Sequence, residues 1–294
     1  MKIMVTNMSN LEKHAYLIMA HNNFYILEKL LLLLDDIRND IYIHIDRKVS
    51  DFDFAHFKTI CIKSHVIFTK KRINVQWGTQ SQVKTELLLY ESSFINGPYE
   101  YYHLLSGVDL PLKSQNEIHY FFSENQCEYI YNKPILSYYD IARVSRFHFF
   151  VGSKAKLLKL INVYINRIQD LFNIDRTKHI LFPVKRGSNW CDLTHNAVEI
   201  LLQNKKEILN MTRFSICADE IYKQTFLQNQ ELDIVNNDLR LIDWSRSQNG
   251  NNPHIYTIDD WNVLISSDKL FARKFDISID KNVVDKLFEY VKNK

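Results

Sequence analysis

Glycine and proline are scarce, 6 and 5 of 294 residues, so long flexible linkers are not expected. No apolar run is long enough to cross a bilayer; the run of leucines at residues 30–34 has only five. The first residues, MKIMVTNMSNLEKH, carry no apolar signal core. Four cysteines (Cys61, Cys127, Cys191 and Cys217) lie far apart, with no CxxC pair and no zinc-like spacing. Reduced, mostly buried thiols in a cytoplasmic protein are the expectation, and the Asn7-Met-Ser and Asn210-Met-Thr sequons then have no consequence. A net charge of only +3, with the basic residues scattered, argues against a nucleic-acid partner.

Several catalytic signatures are absent. Neither GxGxxG nor a Walker-type loop occurs, which removes the main support for a Rossmann dehydrogenase or a P-loop enzyme. HExxH and GxSxG are also missing. One DxD, Asp51-Phe-Asp53, sits in a polar stretch beyond a strand rather than at its end. These acids read as helix caps, not as metal ligands.

The bulk composition is that of a globular protein, 46% hydrophobic and 24% charged, with 16 Tyr and 18 Phe available to pack a core or stack on a sugar or base. Strand and helix patterns alternate from His14. Short apolar runs at 15–19, 40–45, 66–69, 101–105 and 128–130 fit buried strands. Helical periodicity occupies 25–34, 80–94 and 117–122. This alternation predicts an α/β fold, a mostly parallel sheet with helices on both faces. Ligands of such sheets bind beyond the carboxyl ends of the strands. His21-Asn22, Asp46-Arg47-Lys48 and Ser106 to Asp109 all fall at such ends, the pattern of a nucleotide or nucleotide-sugar site.

The second half is less regular. Residues 189–193 and 239–244 read as strands, and 194–209, 221–228 and the C-terminus as helices. Residues 153–172 read as a long basic helix covering the sheet, with a membrane surface as the alternative. Asp219-Glu220 stands where a helix would begin, and both a capped helix and a catalytic base fit it. In Phe271-Ala-Arg-Lys-Phe-Asp276, Arg273 and Lys274 could offset a diphosphate, or could be solvated positions of a strand.

Six motifs in order carry a resemblance running from about His14 to the C-terminus. They are His44-Ile-Asp-Arg-Lys48, Trp77-Gly-Thr-Gln-Ser81, Tyr102 to Leu112, Gly187-Ser-Asn-Trp190, Asp219-Glu220 and Phe271-Ala-Arg-Lys-Phe275. Together they resemble the core-2/I-branching β-1,6-N-acetylglucosaminyltransferases and the peptide O-xylosyltransferases of the same group, in a bacterial-type member. The resemblance implies a GT-A-like single domain with a Rossmann-like, mostly parallel central sheet. Residues 14–131 would form the nucleotide-sugar half and 132–294 the acceptor and catalytic half.

It further implies an inverting glycosyltransferase that uses no metal or other cofactor. Glu220 would be the base, with Asp219 capping the helix and aiming it. His21, Asn22 and Asp46 would line the uridine side, and Arg273 and Lys274 would hold the diphosphate. Ser106, Gly107 and Asp109 would form the floor under the donor sugar. Trp77, Ser188 and Trp190 would belong to the donor-sugar and acceptor region, Trp190 beside the acceptor. The expected partners are a UDP-sugar, GlcNAc foremost, and a hydroxyl of a glycan or lipid-linked glycan. Peripheral contact at the inner face of the plasma membrane would follow, through 154–167 or the C-terminal helix. Transfer of xylose, galactose or glucose is the second reading, and a non-catalytic glycan-binding protein the third. An arginine that some members carry upstream of FARK has no counterpart, the position falling at Asn251, and residues 133–185 match no motif.

Overall fold

The computed structural model describes residues 12–153, 155–179, 183–247 and 252–294. The Asn7 sequon, Lys154 and Asn251 lie outside the described residues.

Strand β1 (His14–Ala20) forms the centre of the main sheet because both its faces are apolar. Tyr16 and Ile18 enter one core and Ala15 and Leu17 the other, the alternation a two-sided sheet demands. Helix α1 (Phe24–Leu34) leads to β2 (Asn39–Ile45), and α2 (Phe54–Thr59) to β3 (His65–Phe68). Helix α3 (Gln80–Phe94) leads to β4 (Tyr101–Ser106), which is followed by the two-residue β5 (Leu110–Pro111). Then come α4 (Gln115–Ser123), β6 (Glu128–Asn132), α5 (Tyr138–Ser145) and α6 (Lys156–Leu171). Strand β7 (Gly187–Thr194) precedes α7 (His195–Gln203), α8 (Lys205–Thr212) and α9 (Tyr222–Leu227). The chain closes with β8 (Ile234–Val235), β9 (Arg240–Ile242), α10 (Trp261–Ser266), β10 (Phe271–Arg273) and α11 (Lys281–Lys292).

The seven-stranded sheet has the order β3-β2-β1-β4-β7-β6-β8. Strands β3, β2, β1 and β4 are mutually parallel, β7 runs antiparallel to β4 and β6, and β8 is parallel to β6. The mixed, mostly parallel sheet expected from the alternating pattern is therefore present. Because β1, β2 and β4 run the same way, the polar groups after each emerge at one edge.

A smaller sheet, β5-β10-β9, lies beside that edge. Residues 239–244 were expected to be a further strand, and Arg240–Ile242 form it in this second sheet. Phe271 pairs with Pro111 and Ala272 with Leu110, which brings Arg273 next to the turn that carries Asp109.

Two features of the second half differ from expectation. The helix of 194–209 is two helices, parted at Asn204, whose side-chain amide donates to the carbonyl of Ile200 and ends the first. Helix α6 does not cover the sheet: neither hydrophobic core contains one of its residues, and Leu157, Leu160 and Ile168 are exposed. Two of its polar groups turn inward instead, the Gln169 side chain and the amide oxygen of Asn162. Gln169 is 3% exposed and bonds both the N–H and the carbonyl of Phe147.

Candidate active site

A cleft of about 760 Å³ opens at the carboxyl edge of the parallel strands. That volume lies in the range of small-molecule sites. Its walls come from the ends of β1, β2 and β4, the second sheet, β7 and the turn before α9.

At the β1 end, His21 and Asn22 reach the cleft, and burial holds the His21 imidazole below its ordinary pKa. Asp46 follows β2. Its Oδ1 accepts from the N–H of Lys48 at 2.8 Å and its Oδ2 from the N–H of Val75 at 3.3 Å. The carboxylate thus folds the HIDRK turn onto the strand leading to Trp77. His44 Nε2 accepts the N–H of Ile73 at 2.8 Å, and burial pushes its pKa down to about 4, so the ring is neutral at pH 7.

Below these residues β4 ends in Ser106. The N–H of Gly107 donates to the carbonyl of Met19, and a Cβ on Gly107 would lie 2.8 Å from Cβ of Ala20. The turn needs glycine for this approach. Asp109 is fully buried, accepts from the N–H of Ser106 at 2.8 Å and faces Arg273 at 3.1 Å. Burial raises its pKa, and the guanidinium opposes that rise. Arg273 is also stacked on the Trp190 ring, 4.0 Å from its centroid. Buried acid below and aromatic face beside it fix the guanidinium at the cleft wall. Lys274 adjoins it, donating to Asn252 Oδ1 at 3.3 Å. Burial, and then the charge of Arg273, lower the Lys274 pKa.

Across the cleft stands Glu220, at the end of the 3-10 turn Ala218–Glu220. Its Oε2 accepts from Arg143 Nη1 at 2.7 Å and from Arg186 Nε and Nη2 at 2.9 and 2.7 Å. Its Oε1 has no hydrogen-bond partner among the described residues, and the side chain is 29% exposed into the cleft. One oxygen is therefore clamped and the other left open. Arg186 is itself anchored on Asp140 at 2.5 Å, and Asp140 is held by the backbone of Ser137 at the start of α5.

Asp219 does not cap a helix. The turn's first position is Cys217, in the left-handed region at φ 48°, and α9 begins at Tyr222 without a side-chain cap. Asp219 is 6% exposed, and its Oδ2 accepts from Gln82 Nε2 at 2.9 Å while Oδ1 has no partner. Behind it lies a fully buried ion pair, Lys223 to Glu86 at 2.5 Å, joined by Tyr222 Oη at 2.8 Å and Asn189 at 2.7 Å. Desolvation, and then the charges of Glu86 and Glu220, push Asp219 up to about 7.

His21, Asn22, Asp46, Trp77, Ser106, Ser188, Trp190, Asp219, Glu220, Arg273 and Lys274 all line the cleft. Gly107 and Asp109 lie just under it. Missed by sequence reasoning were Arg143, Arg186 and the buried Arg240, which pairs with Asp192 and bonds the carbonyl of Leu104. The Lys185-Arg186 pair directly before Gly187-Ser-Asn-Trp190 was the available signal; Arg143, in the unmatched segment, had none. Asp53 caps α2 through the N–H of His56 at 2.9 Å, as expected, and neither it nor Asp51 lines the cleft. No group of three or more His, Cys, Asp or Glu among the described residues could hold a metal ion.

The sequence matches the Core-2/I-Branching enzyme family over residues 14–265. The chain belongs to this family. The chain is also similar to Beta-glucuronosyltransferase GlcAT14B of Arabidopsis thaliana, 25% identical over 93% of this chain and 64% of that protein. Beta-glucuronosyltransferase GlcAT14A is 25% identical over 67% of this chain and 43% of its own length. The chain thus spans less than two thirds of the curated relatives it matches. Mouse xyloside xylosyltransferase 1 in its apo form aligns over 88% of this chain and 96% of that one, at 10% identity and a TM-score of 0.38, too slight a likeness to argue from.

Proposed function

We propose that the cleft binds a UDP-sugar and transfers the sugar, with inversion, to a hydroxyl of a glycan acceptor, such as a precursor of a surface polysaccharide or glycolipid. The observation that carries this reading is the pairing across one cleft of a half-clamped carboxylate and a braced cation. Glu220 offers Oε1 on one side, and Arg273 with Lys274 lies on the other.

The reaction is a single displacement. The acceptor oxygen bonds to the anomeric carbon as the bond from that carbon to the diphosphate oxygen breaks. The acceptor proton passes to Glu220 Oε1. UDP leaves with the bonding pair, and Arg273 and Lys274 stabilise the charge it gains. The reading uses Arg273, braced by Asp109 and the Trp190 ring, together with Lys274 as the positive charge for the diphosphate. His21, Asn22 and Asp46 contact the uridine, and Ser106 and Gly107 underlie the sugar. Trp77, Ser188 and Trp190 border the sugar and acceptor. GlcNAc is the first donor to test. Glucuronic acid is the second, on the names of the plant relatives, followed by xylose, galactose and glucose.

UDP release from a panel of these donors, with glycan acceptors supplied, tests the proposal. Glu220→Gln should lower turnover by about two orders of magnitude or more while UDP affinity stays near that of the wild type. Turnover close to wild type in that variant removes Glu220 from the mechanism.

A further inference from the structure

Helix α6 is built inside out. Gln169 is buried, and Asn162 Oδ1 is buried without a hydrogen-bond partner. Leu157, Leu160, Tyr164, Ile168, Leu171 and Phe172, by contrast, are between 54% and 76% exposed. Five of the six follow the three- and four-residue spacing that aligns side chains along a helix face. Tyr138 and Tyr139 of the neighbouring α5 are also exposed, at 56% and 80%. A patch of this size on a folded surface marks a contact with something else.

The segment that carries this patch is basic, although its Arg143 and Arg186 face Glu220 in the cleft and its Lys133 pairs with Asp140. Residues 133–186 contain eleven Lys and Arg against three Asp and no Glu, a net charge of +8 in a chain whose total is +3. The remainder of the chain is thus net negative. On α6 itself the exposed Lys156 and Arg167 flank the apolar face. Its lone acid, Asp170, is paired with Arg146 at 2.9 Å and accepts from Tyr138 at 2.6 Å. An apolar helical face bordered by lysine and arginine matches the interface of a bilayer with anionic headgroups, where leucine and tyrosine enter the acyl boundary and cations stay among the phosphates.

We propose that α6, with the aromatic end of α5, docks this enzyme on an anionic membrane surface. The docking face is mechanically joined to the candidate base. Asp170 ties α6 to α5, and α5 supplies Arg143 to Glu220 at 2.7 Å. The N–H of Ile216, just before the Asp219-Glu220 turn, donates to the Arg143 carbonyl. Seating α6 on a bilayer therefore brings the acceptor side of the cleft to the membrane, where a lipid-linked acceptor would present its hydroxyl. This last step rests on the proposed function; the docking itself does not.

Co-sedimentation of the full chain, without any substrate, tests the docking. With vesicles of equimolar phosphatidylcholine and phosphatidylglycerol the wild type should pellet, and with phosphatidylcholine alone it should stay largely in the supernatant. The double variant Leu160→Glu/Ile168→Glu should lose at least about tenfold in partitioning, since each change removes an apolar side chain from the docking face and adds repulsion. Both positions are exposed, so the thermal transition and far-UV circular dichroism of the variant should match the wild type. The milder Leu160→Ser/Ile168→Ser should lose partitioning in the same direction. Failure of the wild type to pellet with anionic vesicles overturns the proposal, as does undiminished pelleting of the folded variants. A dimer in sedimentation velocity that these substitutions dissociate would assign the face to a second copy of the chain and would likewise overturn it.

Discussion

Glu220 and Asp219 are adjacent in sequence and occupy opposite environments. Three N–H groups from two arginines fix one oxygen of Glu220 and leave the other to the cleft. Asp219 turns inward to a single amide, with a buried anion close by, and titrates near 7. The sign of its contribution to stability follows. Unfolded, the carboxyl gives up its proton near its ordinary 3.8; folded, near 7. Between these values the folded state holds the extra proton, so this group makes stability fall as pH rises. Asp219→Asn should abolish that slope. Its stability relative to wild type should rise through the window and level off above about pH 7, as followed by denaturant unfolding across pH. A stability difference that does not change with pH would show that Asp219 is ionised throughout. The two acids were set apart at the level of sequence; the inward turn of Asp219 in place of a helix cap was not legible, because it depends on Gln82 and Glu86, which lie far away in the chain.

At the scale of elements, the cleft is assembled from backbone approaches that only small residues permit. A Cβ on Gly187 would stand 1.6 Å from the carbonyl oxygen of Tyr131, where β6 and β7 meet at an irregular register. Gly187→Ala should therefore cost more than about 2 kcal/mol, since relief requires the backbone to move and not merely a side chain. Denaturant unfolding measures this, and a loss of only a few tenths would mean that the two strands separate readily there. The parallel strands were read correctly because β1, β2 and β4 are buried on both faces and bounded by polar turns. The short strands β5, β9 and β10 carry too few residues for periodicity to register, yet they set Arg273 over Asp109. Helix α6 was misassigned to the sheet because amphipathicity records that a helix has an apolar face, not what covers it.

For the whole molecule, a net charge of +3 conceals a basic segment at 133–186 within an otherwise acidic chain. The bulk value could not show the local excess. That segment matched no motif, and it supplies both Arg143 and Arg186 to Glu220 as well as the exposed face of α6. The Glu220 side of the cleft is thus the part least legible in sequence, while the Arg273 side follows from strand ends and a short FARK strand. The central claim is that this cleft holds a nucleotide diphosphate on side-chain cations alone. Calorimetric titration of the full chain with UDP in the presence of EDTA tests it most directly. Saturable binding to the wild type, weakened at least about tenfold by Arg273→Ala, is the predicted result. Absence of binding until Mn²⁺ is supplied, or equal affinity in the Arg273 variant, would contradict it.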